Sequence, residues 1–151
     1  MEVENLINVL RREKKILNEL KSIATEKQVA LVSNNRKKLD KSIKDEERIL
    51  PLIQRIEKER LTAIDEFYVE NRQARTDYHL ETLLEKFSSI LANNVADEIK
   101  SIHLELKTLV EDLTKLNKQN MYLINHSRQF LKETMATIIS SSEKSILDKK
   151  V

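Results

Sequence analysis

Residues 95–116 read VADEIKSIHLELKTLVEDLTKL, and their apolar positions fall at Val95, Ile99, Ile102, Leu106, Leu109, Leu113 and Leu116. The spacing alternates four and three residues. That keeps one face of an α-helix apolar over six turns and is the signature of a bundle or coiled-coil seam. A helix with such a seam needs partners of the same kind, so the remaining sequence is read for them.

The start of the chain supplies one. Val3, Leu10, Leu17, Ala24 and Leu31 recur every seven residues, with Leu6 and Leu20 in the same stripe, predicting a helix over about 2–32. Ser33-Asn34-Asn35 then offers a tight turn, because Asn tolerates left-handed geometry and caps helices. A second helix carries Leu39, Ile43, Leu50, Ile53, Ile56, Ile64 and Phe67, with a bend expected near Leu50 because Pro51 removes a backbone donor. Residues 69–78 are polar and aperiodic and read as a connection. A short helix with Leu80, Leu83, Leu84 and Phe87 follows, and Asn93-Asn94 offers either a turn, with Asn94 as candidate cap for the long last helix, or the passage of one continuous helix.

Composition agrees. The 151 residues contain no glycine and one proline, which disfavours hairpin-rich β folds. The expectation is an all-α, antiparallel helical bundle with coiled-coil-like packing: two long N-terminal helices, a short third and a long fourth. Residues 1–139 form one domain, and 140–151 a flexible polar tail. The acidic start at Glu2 and Glu4 and the lack of an apolar span predict a cytoplasmic protein without stable membrane insertion.

The same composition excludes many chemistries. Without cysteine there is no disulfide, thiolate metal site or thiol nucleophile, and without glycine no phosphate-cradling loop or nucleophile elbow. His79, His103 and His126 lack the Glu-x-x-His spacing of di-iron bundles, and no zinc ligand set accompanies them. No enzyme activity and no cofactor are expected. A net charge of +2 gives no overall field for nucleic acid, and the basic run Arg36-Lys37-Lys38, with Lys41 and Lys44, reads as a solvated helix start.

Beyond Leu116 the seam changes character. Counting on reaches Asn120, Leu123, Ser127 and Phe130, so polar groups interrupt it. A helix from Val95 to Ile139 is about 65 Å long against about 45 Å for the first helix, so one end outruns its partners. If that is the C-terminal end, Leu123, Ile124, Phe130, Leu131, Met135, Ile138 and Ile139 form an exposed patch of adaptable side chains. The alternative is that they pack on the first helix or on a second copy of the chain. Asn117 and Asn120 have two readings, register-setting polar groups between helices or contacts to a partner's backbone. Tyr122 lies off the seam, as an exposed docking aromatic or a rim residue.

Three stretches together resemble the FlgN family of flagellar type III export chaperones. They are Asp45-Glu46-Glu47-Arg48-Ile49-Leu50 running to Ile56-Glu57-Lys58-Glu59-Arg60, the short Leu80-Glu81-Thr82-Leu83-Leu84, and Leu113 to Ile124. The last holds the most specific element, Leu116-Asn117-Lys118-Gln119-Asn120 followed by Leu123-Ile124, which is similar to the family's Leu-Asn-x-x-Asn and apolar step. Pro51 departs from the family's usual uninterrupted second helix. The resemblance implies a chaperone that binds the C-terminal helical segment of hook–filament junction proteins, prevents their premature assembly and brings them to the export gate. It places partner binding in 116–139: Leu116, Asn117, Asn120, Leu123, Ile124, Phe130, Leu131, Met135, Ile138 and Ile139. The competing reading is a homo-oligomeric coiled-coil scaffold with no secretion role.

Overall fold

A computed structural model describes residues 2–150, with side chains described as far as Ser140. Apart from Ser140, which is exposed, the side chains of the polar tail expected over 140–151 lie outside the described residues. Four helices follow in order: α1 (Glu2–Val32), α2 (Arg36–Glu70), α3 (Leu80–Lys86) and α4 (Asn93–Lys150). The all-α bundle expected from the periodicity is present, with two long helices, a short one and a long one.

Both turns that leave the N-terminal helices solve the absence of glycine in the same way. At the end of α1, Asn34 adopts φ 56°, while the amides of Asn34 and Asn35 return to the carbonyls of Leu31 and Ala30. This is a Schellman closure with Asn in the left-handed position. Asn35 then caps α2 by accepting from the Lys38 amide at 3.1 Å. At the end of α2, Arg72 takes φ 55°, and the amides of Arg72 and Gln73 return to Val69 and Tyr68. Here an ordinary residue bears the steric cost that Asn bears more cheaply.

α1 and α2 form an antiparallel hairpin, as the pairs Arg12–Glu59, Arg48–Glu19 and Lys27–Glu46 require. α4 instead runs parallel to α1, because contact partners on the two helices rise together along the chain. The antiparallel expectation thus holds for α1 with α2, while the return through α2 and α3 brings α4 back in the direction of α1. α1 is the helix on which both others pack.

The buried line of α2 is Ser42, Ile49, Ile56 and Ala63, joined by Ile64, Phe67 and Tyr68. This corrects the sequence reading by one position at two sites, since Ile43 and Leu50 face outwards while Ser42 and Ile49 face in. Pro51 sits inside α2 without ending it. Its ring is on the exposed face, where water reaches the carbonyl left without a donor one turn earlier. Phe87, after α3, packs edge-on against Phe67 and Tyr68 with ring centroids 4.7 and 5.0 Å apart, and so fastens α3 to the end of α2.

Candidate partner-binding surface

The geometry of α4 follows from its register on α1. Lys14–Glu105, Lys21–Asp112 and Gln28–Gln119 are hydrogen-bonded pairs, each separated by 91 residues and each one heptad beyond the last. Arg11–Glu98, separated by 87 residues and so one turn out of that register, joins the two helices nearer their N-termini. Exposed pairs of this kind contribute little to stability individually, on the order of 0–1 kcal/mol. Their value is in selecting one alignment.

Beneath the ladder runs the seam. Ile99, Ile102, Leu106, Leu109 and Leu113 are buried, as their four-three spacing predicted, and Leu116 is half-buried against the same core. Asn120 is 3 % exposed and donates from Nδ2 to the Ala24 carbonyl at 3.0 Å. Of its two readings, the structure realises the internal one: Asn120 bonds the neighbouring helix. Its Oδ1 is buried without a partner. Among the described residues Ser42 is the other buried polar residue, and by the register of α2 on α1 it stands at the same end of the bundle.

The offset of 91 carries Val32, the last residue of α1, to Leu123. Leu123 and Ile124 are half-buried, and beyond them α4 has no neighbour: among residues 125–140 every side chain except Thr134 is exposed. α4 has 58 residues against 31 in α1, lengths of about 87 and 46 Å at 1.5 Å per residue. The C-terminal end is therefore the overhanging one.

Phe130, Leu131, Met135, Ile138 and Ile139 stand on this overhang and are 53–63 % exposed. Leu131, Met135 and Ile138, in steps of seven, four and three from Ile124, keep to the face that is seam further up the helix, while Phe130 and Ile139, half a turn apart, flank it on opposite sides. Together they make this end of α4 the most apolar exposed stretch of the helix among the described residues. Asn117 is exposed beside the seam, and Tyr122, also exposed, stacks on His126 one turn later with centroids 5.9 Å apart. The ten residues expected at the site thus divide into three groups. Asn120 and Leu116 belong to the bundle, Leu123 and Ile124 to its edge, and Asn117 with the last five to free surface.

A second concave region lies between α1, α2 and the α3–α4 side, an open cleft of about 470 Å³ with Leu17, Leu80, Leu106 and Val110 among its walls. At its edge Glu13 stands 3.7 Å from Arg60, which is held more tightly by Glu57. Burial, only partly offset by Arg60, pushes the Glu13 carboxyl up to about 7, with Glu57 adding to the rise. Glu57 itself is held low by its bond to Arg60. Nothing in the sequence announced this trio, since positions 13, 57 and 60 meet only once the hairpin register is fixed. His103 is engaged by Glu81 at 3.1 Å. Among the described residues no group of His, Asp and Glu is arranged to hold a metal ion, and no helix is long and apolar enough to cross a membrane.

The bundle thus has one helix running past its partners with large apolar side chains exposed. A family model described as FlgN protein matches residues 1–147. The chain belongs to the FlgN family. FlgN proteins are flagellar export chaperones, so the general role of this chain is to accompany flagellar proteins before export, and the family is not one of enzymes. The match extends across the overhang as well as the bundle. No curated protein and no solved structure matches the chain.

Proposed function

We propose that this FlgN protein binds, in the cytoplasm, the C-terminal helical segment of hook–filament junction proteins along the free end of α4. It thereby keeps them from assembling prematurely and delivers them to the type III export gate. The observation that carries the reading is the uncovered stripe Leu131, Met135 and Ile138, continuous with the seam through Ile124 and flanked by Phe130 and Ile139. A client helix laid on it extends the coiled-coil packing that α1 provides further up, a helix-in-groove mode in which anchors repeat at three and four residues.

The magnitudes fit a carrier. Burying Leu131, Met135 and Ile138, with the near edges of Phe130 and Ile139, contributes roughly 4–7 kcal/mol gross, from which association and ordering subtract several kcal/mol. Such a complex is selective yet releasable at the gate. Met135 adds a flexible thioether that adapts to clients of differing shape.

The experiment is Leu131→Asp with Ile138→Asp, tested against the C-terminal segment of a hook-associated protein by isothermal titration. Both side chains are exposed, so helical content and melting temperature should be unchanged while binding is lost. Retained binding would place the client elsewhere. The same stripe also fits a second copy of the chain. A monomeric native mass that becomes a 1:1 complex with client separates the chaperone from the scaffold reading.

A further inference from the structure

We propose that the helix seated on the α4 overhang is acidic along its flanks, so that this chaperone selects its partner by charge as well as by its apolar stripe. The inference rests on the overhang being the docking surface and adds the chemistry of what docks.

The net charge of +2 conceals a strong separation. By the contacts Lys27–Glu46 and Gln28–Gln119, the start of α2 and the stretch of α4 from about residue 118 lie level with each other, at the end where α4 leaves the bundle. The α2 stretch 36–44 carries Arg36, Lys37, Lys38, Lys41 and Lys44 against Asp40 alone. On α4, residues 118–140 carry Lys118, Arg128 and Lys132 against Glu133 alone. Elsewhere cations on facing helices meet carboxylates, as in Arg12–Glu59, Lys14–Glu105, Lys21–Asp112 and Arg48–Glu19. Among the described residues, none of these eight end cations forms an ion pair, and Glu133 is hydrogen-bonded to Gln129 instead.

Two of the cations border the stripe itself. Arg128 is four residues after Ile124 and three before Leu131, and Lys132 is three before Met135. At helical spacing both stand along one edge of the apolar face. As like charges one turn apart, with no carboxylate to share, they repel each other mildly when the helix is alone. A docked helix with Glu or Asp at its flanks relieves that repulsion and supplies the pairs that Glu105 and Asp112 supply to α1 further up. The lysines and arginine on α2 add a field that steers an acidic segment towards this end and fades with salt.

The test uses the full chain and two synthetic three-heptad helical peptides. Both have Leu at the core positions; one has Glu at all flanking positions and the other Lys. At about 50 mM salt the Glu peptide should bind about tenfold more tightly than the Lys peptide, and at about 300 mM the preference should shrink to about twofold. Arg128→Glu with Lys132→Glu, verified folded by circular dichroism, should abolish or reverse it. Equal affinities, or a preference for the Lys peptide, overturn the charge selection while leaving apolar docking intact. Binding of neither peptide overturns it too; if the hook-protein segment is then still captured, only this inference fails, and if that segment is not captured, the proposed function falls with it. Tighter binding to phosphatidylglycerol vesicles than to the Glu peptide, lost in the same variant, would assign the basic end to a lipid surface and overturn the proposal.

Discussion

Asn120 on α4 donates to the main-chain carbonyl of Ala24 on α1 at 3.0 Å, inside an otherwise apolar seam. The amide leaves its own oxygen buried without a partner, which costs stability, and it sits one turn before α4 loses its neighbour. A single polar residue at a core position typically exchanges stability for a unique alignment. In this chain the alignment determines how much of α4 is left free. Replacing Asn120 by Leu should therefore raise the melting temperature by a few degrees, from removal of about 1–2 kcal/mol of desolvation. It should also lengthen the continuous apolar stripe and populate dimers or higher species in sedimentation. A variant that melts lower and stays monomeric would show that the hydrogen bond outweighs the buried oxygen.

Glu13 gives a pH signature. Its carboxyl is raised in the folded chain to about 7 from about 4.5, so between those values the folded state binds more protons than the unfolded one. This contribution to stability is full below about pH 4.5 and lost as pH rises through about 7. Glu13→Gln should remove that slope and stabilise the protein at pH 8 by about 1–2 kcal/mol, a discounted share of the 1.36 kcal/mol per unit that such a shift implies. Thermal melts from pH 5 to 8 measure it. A parallel pH profile in both proteins would contradict the account. The lowered Glu57 works in the opposite direction and remains in both.

Arg72 holds φ 55° at the end of α2, a position that suits Gly or Asn better than a residue with a long side chain. Arg72→Gly, or Arg72→Asn to copy the turn at Asn34, should leave the melting temperature unchanged or raise it by up to a few degrees. A clear loss would mean that the Arg72 side chain contributes more than its backbone strain costs.

The helices were readable because their stripes are long: the heptads from Val3 to Leu31 and from Val95 to Leu116 leave little choice of period, and Asn34 and Asn35 mark the turn between the first two helices. Two kinds of feature escaped. Where apolar residues are adjacent, as at Ile49 and Leu50, sequence alone does not decide which faces inwards; the packing of α2 on α1 chose the line through Ser42, Ile49, Ile56 and Ala63. Features that depend on register between helices were also invisible, among them the parallel course of α1 and α4 and the meeting of Glu13 with Glu57 and Arg60. Within the expected site, the interruption at Asn120 was visible but not its meaning. The spacing shows a polar group on the seam face, while only the position of Ala24 opposite it shows that this Asn is internal and that free surface begins after Ile124. The basic run at the start of α2 was equally legible as sequence, but its place at the end where α4 leaves the bundle required the fold.

Hydrogen exchange read segment by segment tests the central claim most directly. In the free chain, amides of α4 from 99 to 120, packed on α1, should exchange slowly, and those from 125 to 140 rapidly, because nothing covers that turn sequence. Adding the C-terminal segment of a hook-associated protein should slow exchange in 124–139 by at least about tenfold, with little change in α1 and α2. Protection centred on the cleft beside Glu13, or spread evenly over the bundle with 124–139 still fast, would contradict the account.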